Sequence, residues 1–89
     1  MRFRWDNKKN QLLTIKRGLD FEIIVQLFER SYHLSRKYDD PEQWRAIGWV
    51  NSSLITVIYE EREDQDGPFY WFVTAWIATK TEEKLFNES

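Results

Sequence analysis

Residues 54–59 read LITVIY and residues 70–78 read YWFVTAWIA, and these two stretches decide the fold. The first is rich in β-branched residues, which suit the pleated surface of a sheet. The second is apolar almost throughout, as is typical of a strand that is covered on both faces. We therefore predict two strands at the centre of a sheet, with the charged residues 60–67 leading out of the first.

Three more strands are predicted on the N-terminal side of this pair. Residues 32–49 carry spaced aromatic and aliphatic side chains, and the turn-forming Asp39, Asp40 and Pro41 divide them into two strands. The polar residues 51–53 then form a hairpin turn into LITVIY. At the start of the chain, Phe3 and Trp5 alternate with arginines, which predicts a short first strand.

Two helices are predicted between the first strand and the others. Asp6 is an N-cap for a helix over residues 7–17, and Gly18 stands where a C-terminal cap belongs. Asp20 caps a second helix, in which the apolar residues 21, 24, 25 and 28 recur on one face.

A third helix ends the chain. Thr79 and Glu82 have the spacing of a capping box, which predicts a helix from there through Phe86. The element order is strand, helix, helix, four strands, helix. It predicts one α+β domain over residues 1–89, with a small antiparallel sheet of about five strands and the helices on one side.

Composition narrows the classes of function. The chain has no cysteine and one histidine, so we predict no disulfide, no metal site and no cofactor. The N-terminus lacks the apolar core of a signal peptide, and the apolar run over residues 70–77 is too short to span a bilayer. We therefore predict a cytoplasmic protein that does not enter a membrane.

Charge is divided unevenly along the chain. Residues 1–45 hold ten Lys and Arg against seven Asp and Glu, whereas residues 46–89 hold three against eight. The first part is therefore +3 and the second is −5, which together give the net charge of −2. A basic face could attract phosphates despite the acidic total. An equally good interpretation is that these residues form a solvated surface on which positive and negative charges are mixed.

Phosphodiester cleavage is open to this chain without a histidine, because Lys and Arg can stabilise a phosphorane while a carboxylate transfers protons. The candidate cations are Lys16, Arg17, Arg45, Arg62 and Lys80, and the candidate proton carriers are Glu42 and Glu61. Each also has a structural interpretation: a helix C-terminus, an ion pair or plain solvation.

The tryptophans offer a second way to bind nucleic acid. Bases stack on rings that lie beside basic residues, and the candidate rings are Trp44, Trp49, Trp71 and Trp76. In a domain this small, however, aromatic side chains must also supply much of the core. Packing of these tryptophans in the core is therefore the alternative to base stacking.

The whole chain resembles the BrnT family of type II toxins. The resemblance is carried by FRWDNKKN at residues 3–10, KRGLDFE at 16–22, WRAIGWV at 44–50, VIYEER at 57–62 and ATKTEEKLF at 78–86. No single segment is decisive, but their order and spacing are. The resemblance implies a compact fold similar to that of the RelE ribonucleases. It also implies a metal-independent endoribonuclease that is held inactive by an antitoxin protein encoded by an adjacent gene.

The chain departs from the family pattern at two basic positions. The family has Lys-His-Gly where this chain has Lys16-Arg17-Gly18, and it has Ile-Ser-Ala-Arg where this chain has residues 73–76, VTAW. Lys16, Arg45, Arg62, Glu61 and Glu82 match the pattern. From the residues and the resemblance together we predict Arg45, Arg62 and Glu61 as catalytic residues and Lys16, Arg17 and Lys80 as RNA-binding residues.

Two hypotheses follow. In the first, the chain is a BrnT-like ribonuclease whose cations gather beside the sheet to hold RNA. In the second, it is a non-catalytic interaction module whose basic half or exposed aromatic side chains bind a partner protein, such as an antitoxin-like helix with an apolar face.

Overall fold

The computed structural model describes residues 1–88, so that Ser89 of the predicted domain lies outside the described residues. The strands are β1 (Arg2–Arg4), β2 (His33–Asp39), β3 (Glu42–Val50), β4 (Ser53–Asp64) and β5 (Gly67–Ile77). The helices are α1 (Asn7–Arg17), α2 (Phe21–Ile24), which continues as a 3-10 helix over Val25–Glu29, and α3 (Lys80–Glu88). The predicted α+β class and the predicted order of elements are confirmed.

The sheet has five strands in the order β1-β5-β4-β3-β2, and it is mixed. The four strands β2 to β5 form an antiparallel meander, as predicted. β1 instead joins β5 in parallel, with Phe3 opposite Tyr70. The prediction of a wholly antiparallel sheet was therefore wrong for this strand. Its parallel pairing is possible because α1, α2 and three strands lie between β1 and β5 in the sequence.

The hairpin of β4 and β5 is longer than predicted. β4 continues to Asp64 instead of ending at Tyr59, and Glu63 and Asp64 still pair with Pro68 and Gly67 of β5. Two arginines of β1 hold Asp64, since Arg2 Nη2 donates to its carboxylate at 2.6 Å and Arg4 Nη1 at 3.2 Å. The charged residues form a strand because they pair with β5 across the hairpin, and the arginines of β1 bind the carboxylate at its end.

One face of the sheet, here called the core face, packs against α1, α2 and the 3-10 helix. Its buried residues include Ala46, Ile55, Val57, Tyr59, Phe72 and Ala75, and those of the helices are Leu13, Phe21, Ile24 and Leu27. Aromatic rings fill much of this core, as predicted. The Phe72 ring lies 5.4–5.9 Å from the rings of Phe3, Trp5, Phe21 and Phe28.

The opposite face, here called the open face, carries the alternate residues of the same strands. α3 covers one end of it, where Thr56 of β4 contacts Glu82 and the Trp49 ring meets the Phe86 ring at 6.3 Å. The prediction that all helices lie on one side was therefore wrong. The reason is that α3 follows β5 after a link of two residues, and its Glu82 accepts hydrogen bonds from Thr56 and Trp76, whose side chains lie on the open face.

Candidate functional site

Arg45 stands in the middle of the open face. It lies in β3, where it pairs with Ile58 of β4 and with Ser35 of β2. Its Nε donates a hydrogen bond of 3.0 Å to the Ser35 hydroxyl. No carboxylate among residues 1–88 forms an ion pair with this guanidinium. Arg45 is thus a half-buried cation whose charge is not neutralised by a direct partner.

Arg62 lies on the same face but is paired. Its Nε and Nη2 donate to Glu60 Oε1 at 3.0 and 2.7 Å, and its guanidinium carbon lies 4.5 Å from the centre of the Trp71 ring. Gln43 donates to the other oxygen of Glu60 at 2.8 Å. The hydrogen bonds from Gln43 and Arg62 lower the pKa of Glu60 against the opposing effect of burial. This carboxylate is therefore ionised at neutral pH.

The two arginines flank this carboxylate. Arg45 is level with Ile58 of β4, and Arg62 lies four residues further along that strand, a rise of about 13 Å. Glu60 stands between them, so the open face presents a row of cation, carboxylate and cation with Trp71 beside the last.

Glu61 points away from this row. It alternates with Glu60 and Arg62 along β4, and it pairs with Tyr70 on the core-face side. There its charge contributes to the raised pKa values of Tyr59 and Tyr70, whose main cause is burial of the two hydroxyl groups. The structure therefore does not bring the predicted proton carrier Glu61 to Arg45 and Arg62. The carboxylate that it does bring to them is Glu60.

Lys16 and Arg17 form a second basic place at the end of α1. Arg17 Nη1 donates to the carbonyl oxygen of Ala75 at 2.7 Å. Ala75 lies in the part of β5 beyond the residues that pair with β1. A cavity of about 200 Å³ lies between α1 and β5. Its lining contains three cations and no carboxylate: Lys9, Leu12, Leu13, Lys16, Arg17, Phe21 and Thr74.

The four cations therefore occupy two places and not the single cluster expected from the sequence. The two places nevertheless lie at the same height along the strands. Across the sheet, Arg45 pairs with Ile58 and Ile58 pairs with Thr74. Arg17 contacts Ala75, the next residue of β5. Two strand spacings, about 10 Å, separate β3 from β5. Lys80, the third predicted RNA-binding residue, lies apart from both places, exposed in the first turn of α3.

Trp76 stands where the resemblance led us to expect an arginine, and its ring nitrogen has a structural partner. Trp76 Nε1, the Thr56 hydroxyl and the Thr79 backbone N–H each donate to Glu82 Oε1 at 2.9 Å. Burial on its own raises the pKa of Glu82, but these hydrogen bonds outweigh it and the pKa is lowered. The open face thus lacks a cation here, and a buried, ionised carboxylate fixes α3 to the sheet.

Sequence reasoning missed Glu60 and Gln43 as neighbours of Arg62. A signal was available in the hairpin, since pairing outwards from its turn places Glu60 opposite Trp71. Within residues 1–88, no three acidic or histidine side chains are grouped so that they could hold a metal ion. In the same part of the chain, no helix has the length and apolar character that crossing a membrane requires.

Comparison with known proteins places this geometry in context. No protein-family model and no curated protein matches the chain. Among solved structures, the crystal structure of the Brucella abortus ribonuclease toxin BrnT matches with a TM-score of 0.73 and 26% sequence identity. The match covers 90% of this chain and 99% of that chain. The chain is BrnT-like. The resemblance seen in the sequence is thus confirmed by structure, and this BrnT-like chain shares its fold with BrnT over nearly its whole length.

Proposed function

We propose that this BrnT-like chain is the toxin of a type II toxin–antitoxin pair and cleaves RNA. The observation that carries the proposal is the match to a ribonuclease toxin over 90% of the chain. An antitoxin protein encoded by an adjacent gene is the proposed partner, and the cytoplasm is the proposed site of action. The relation to the RelE ribonucleases stays a prediction from the sequence.

The open face supports a metal-independent reaction. Arg45 carries a charge with no acidic partner among the described residues, so it is the group best placed to bind the scissile phosphate and the charge of the phosphorane. Arg62 is the second phosphate ligand, and the phosphate must displace Glu60 from it. Trp71, beside Arg62, offers a ring on which a neighbouring base can stack.

A carboxylate must accept a proton for the reaction to start. In our proposal the ribose 2′-hydroxyl gives its proton to a glutamate, its oxygen bonds to phosphorus, the bond from phosphorus to O5′ breaks, and O5′ takes a proton from water. Glu60 is ionised and lies on the same face as both arginines, so it is our first candidate for this base. Glu61, predicted from the resemblance, is the second candidate.

The RNA backbone would cross the sheet between the two basic places. Lys16 and Arg17 are level with Arg45 along the strands, but they stand at the end of α1, which packs on the core face, so the backbone would pass from the open face around the edge of β5 to reach them. We propose that Lys16 and Arg17 bind the flanking phosphates by charge. Lys80 keeps its predicted RNA-binding role as a more distant contact.

The test is cleavage of a synthetic RNA by the purified chain, free of any partner. We expect products that end in a 2′,3′-cyclic phosphate, and we expect Arg45→Ala to lower the rate at least a hundredfold. Glu60→Gln and Glu61→Gln form a matched pair, because the residues are adjacent and differ in the face to which they point. Arg36→Ala, which removes a surface arginine of β2 paired with Asp39 and Glu42, is the control.

Three results would count against the proposal. Intact RNA after incubation with the wild-type chain would remove the enzyme assignment. Equal losses for Arg36→Ala and Arg45→Ala would show that charge in general, and not the open face, is responsible. A loss with Glu61→Gln but not with Glu60→Gln would move the base to the core-face side of β4.

A non-catalytic interaction module is the second candidate function. One observation favours it: Glu60 already neutralises Arg62, and Trp76 replaces the expected arginine, so that of the proposed phosphate ligands on the open face only Arg45 has no acidic partner among residues 1–88. A chain that binds the product of the adjacent gene but leaves RNA uncut would support this function. For this function to hold, the Trp76→Arg variant must also leave RNA uncut.

A further inference from the structure

The outer side of α1 is apolar although it faces solvent. Leu12 is 53% exposed and Ile15 is 79% exposed, and Leu13 is the residue of this helix that is buried in the core. Their spacing of three places Leu12 and Ile15 next to each other on one helix face. Leu12 also lines the cavity between α1 and β5, so the apolar surface continues into that cavity.

Positive charge surrounds this apolar surface. The sequence of α1 is NKKNQLLTIKR, which has four cations and no carboxylate, in a chain whose net charge is −2. Lys9 and Lys16 line the same cavity as Leu12, and their spacing along the helix puts them beside it. A ligand that covers this surface therefore needs apolar groups flanked by negative charge.

A helix fits this place better than a strand. The edge of β5 beside α1 is the place where a partner strand could be added to the sheet. Arg17 already occupies the carbonyl oxygen of Ala75 there, so a strand would have to displace it. A helix requires no backbone hydrogen bonds from its partner, and α1 is long enough, at about 16 Å, to pack along about three turns of another helix.

We propose that the surface formed by Leu12, Ile15, Lys9, Lys16 and Arg17, here called the α1 surface, binds an acidic amphipathic helix of a partner protein. Exposed aliphatic side chains favour a protein over RNA as the occupant, because nucleic acid offers phosphates but little aliphatic surface to pack on them. This inference deepens the proposed function, on which its consequence rests: carboxylates on Lys16 and Arg17 would compete with RNA.

The experiment is an NMR titration of the full chain labelled with ¹⁵N. The probe is a synthetic 18-residue peptide with leucine at helical positions i, i+3, i+4 and i+7 of each repeat and glutamate flanking them. We expect saturable shifts of the backbone amides of residues 8–17. The same peptide with lysine in place of glutamate should bind at least tenfold more weakly, because its charges meet those of α1.

Variants locate the binding energy. Leu12→Ser and Ile15→Ser should each weaken binding of the acidic peptide about tenfold, and neither should disturb the fold, because both side chains are mostly exposed. Lys16→Glu should weaken the acidic peptide and strengthen the lysine peptide. Leu34→Ser is the matched control, since Leu34 is 45% exposed on β2 at the other edge of the sheet, and it should change nothing.

Each other outcome overturns the proposal. It fails if the acidic peptide shows no saturable binding, if both peptides bind equally, or if Leu34→Ser acts like Ile15→Ser. It also fails if a ten-residue oligouridylate shifts residues 8–17 and Ile15→Ser weakens that binding, which would make RNA the occupant. Shifts that grow with protein concentration and vanish in Ile15→Ser would make a second copy of the chain the occupant.

The proposed function can fail separately. A wild-type chain that binds the peptide through α1 but leaves RNA intact would retain the α1 surface and lose the nuclease. A chain that cleaves RNA at the same rate with the peptide bound would keep both sites and refute the competition between them.

Discussion

Glu82 should be the residue whose loss separates α3 from the sheet. Its Oε1 accepts three hydrogen bonds of 2.9 Å, from the Thr56 hydroxyl, the Trp76 ring and the Thr79 backbone. Thr56 is fully buried, so in Glu82→Ala its hydroxyl loses this acceptor while it is shielded from bulk solvent. A buried polar group left unpaired costs about 1–3 kcal/mol, and the lost capping box adds about 1 kcal/mol.

We therefore expect Glu82→Ala to lower the free energy of unfolding by about 2–4 kcal/mol. That is a large part of the total for a domain of this size, which is about 4–13 kcal/mol. Glu82→Gln keeps one acceptor oxygen and should cost about half as much. The measurement is urea denaturation followed by tryptophan fluorescence, with Glu83→Ala, an exposed neighbour in the same helical turn, as the control.

A double-mutant cycle assigns the effect to the buried hydroxyl. Thr56→Val removes the donor, so in the Thr56→Val/Glu82→Ala variant no buried hydroxyl is left unpaired. We expect the double variant to lose at least 1 kcal/mol less than the sum of the two single losses. Strict additivity, or equal denaturation midpoints for Glu82→Ala and Glu83→Ala, would refute the reasoning.

The pH dependence of stability has a definite sign. The pKa of Glu82 is lower in the folded chain than its ordinary value, so its ionised form favours folding. Its contribution is complete above the unfolded-state pKa and is lost as the pH falls through the folded-state pKa. Wild-type stability should therefore decline in acid more steeply than that of Glu82→Gln. Parallel acid profiles for the two proteins would contradict this assignment.

Three further substitutions test the packing. Gly48→Ala should cost about 1–3 kcal/mol, because its Cβ would lie 3.0 Å from Leu27 Cγ and 3.2 Å from Tyr32 Cβ, and an unchanged melting temperature would show that the 3-10 helix yields freely. Gly18→Ala should cost about 1 kcal/mol for a different reason, the φ of +67° that ends α1, and Gly18→Asn should cost less in the same thermal melt. Phe72→Ala should cost about 3–5 kcal/mol, and a folded variant with native near-ultraviolet circular dichroism would refute the central place of this ring.

Local chemistry explains what the sequence predicted well. The bounds of α1 are those predicted, because Asp6 accepts a hydrogen bond from the Lys9 backbone and Gly18 adopts the left-handed conformation that ends the helix. The capping box of α3 likewise needs only Thr79 and Glu82. Capping interactions of this kind join residues no more than four positions apart, so they can be predicted from a short stretch of sequence.

Distant pairing explains what the sequence did not predict. The alternation of Phe3 and Trp5 indicated a strand but not its partner, and β1 is separated from β5 by more than sixty residues. The same pairing brings Arg2 to Asp64 and so supports the charged end of β4. A sequence pattern that indicates local conformation does not show which distant residues will be in contact.

The misplaced proton carrier has a local cause, because the end of β4 was predicted too early. With β4 taken to end at Tyr59, the alternation of faces was not carried into the charged residues that follow. Once the strand is known to reach Asp64, alternation alone puts Glu60 and Arg62 on the open face and Glu61 on the other. The length of β4 thus decides which glutamate stands beside the arginines.

Trp76 leaves the open face without a cation at the position where the resemblance implied an arginine, while it still helps to fix α3. An arginine at this position would offer Glu82 several donors and leave positive charge on the sheet, whereas an indole offers one donor and none. The carboxylate is still satisfied, because Thr56 and Thr79 supply the other two hydrogen bonds. An indole at this position therefore keeps α3 attached to the sheet but attracts a phosphate less than an arginine would. Any chemistry on this face then depends on Arg45 and on the readiness of Arg62 to exchange Glu60 for a phosphate.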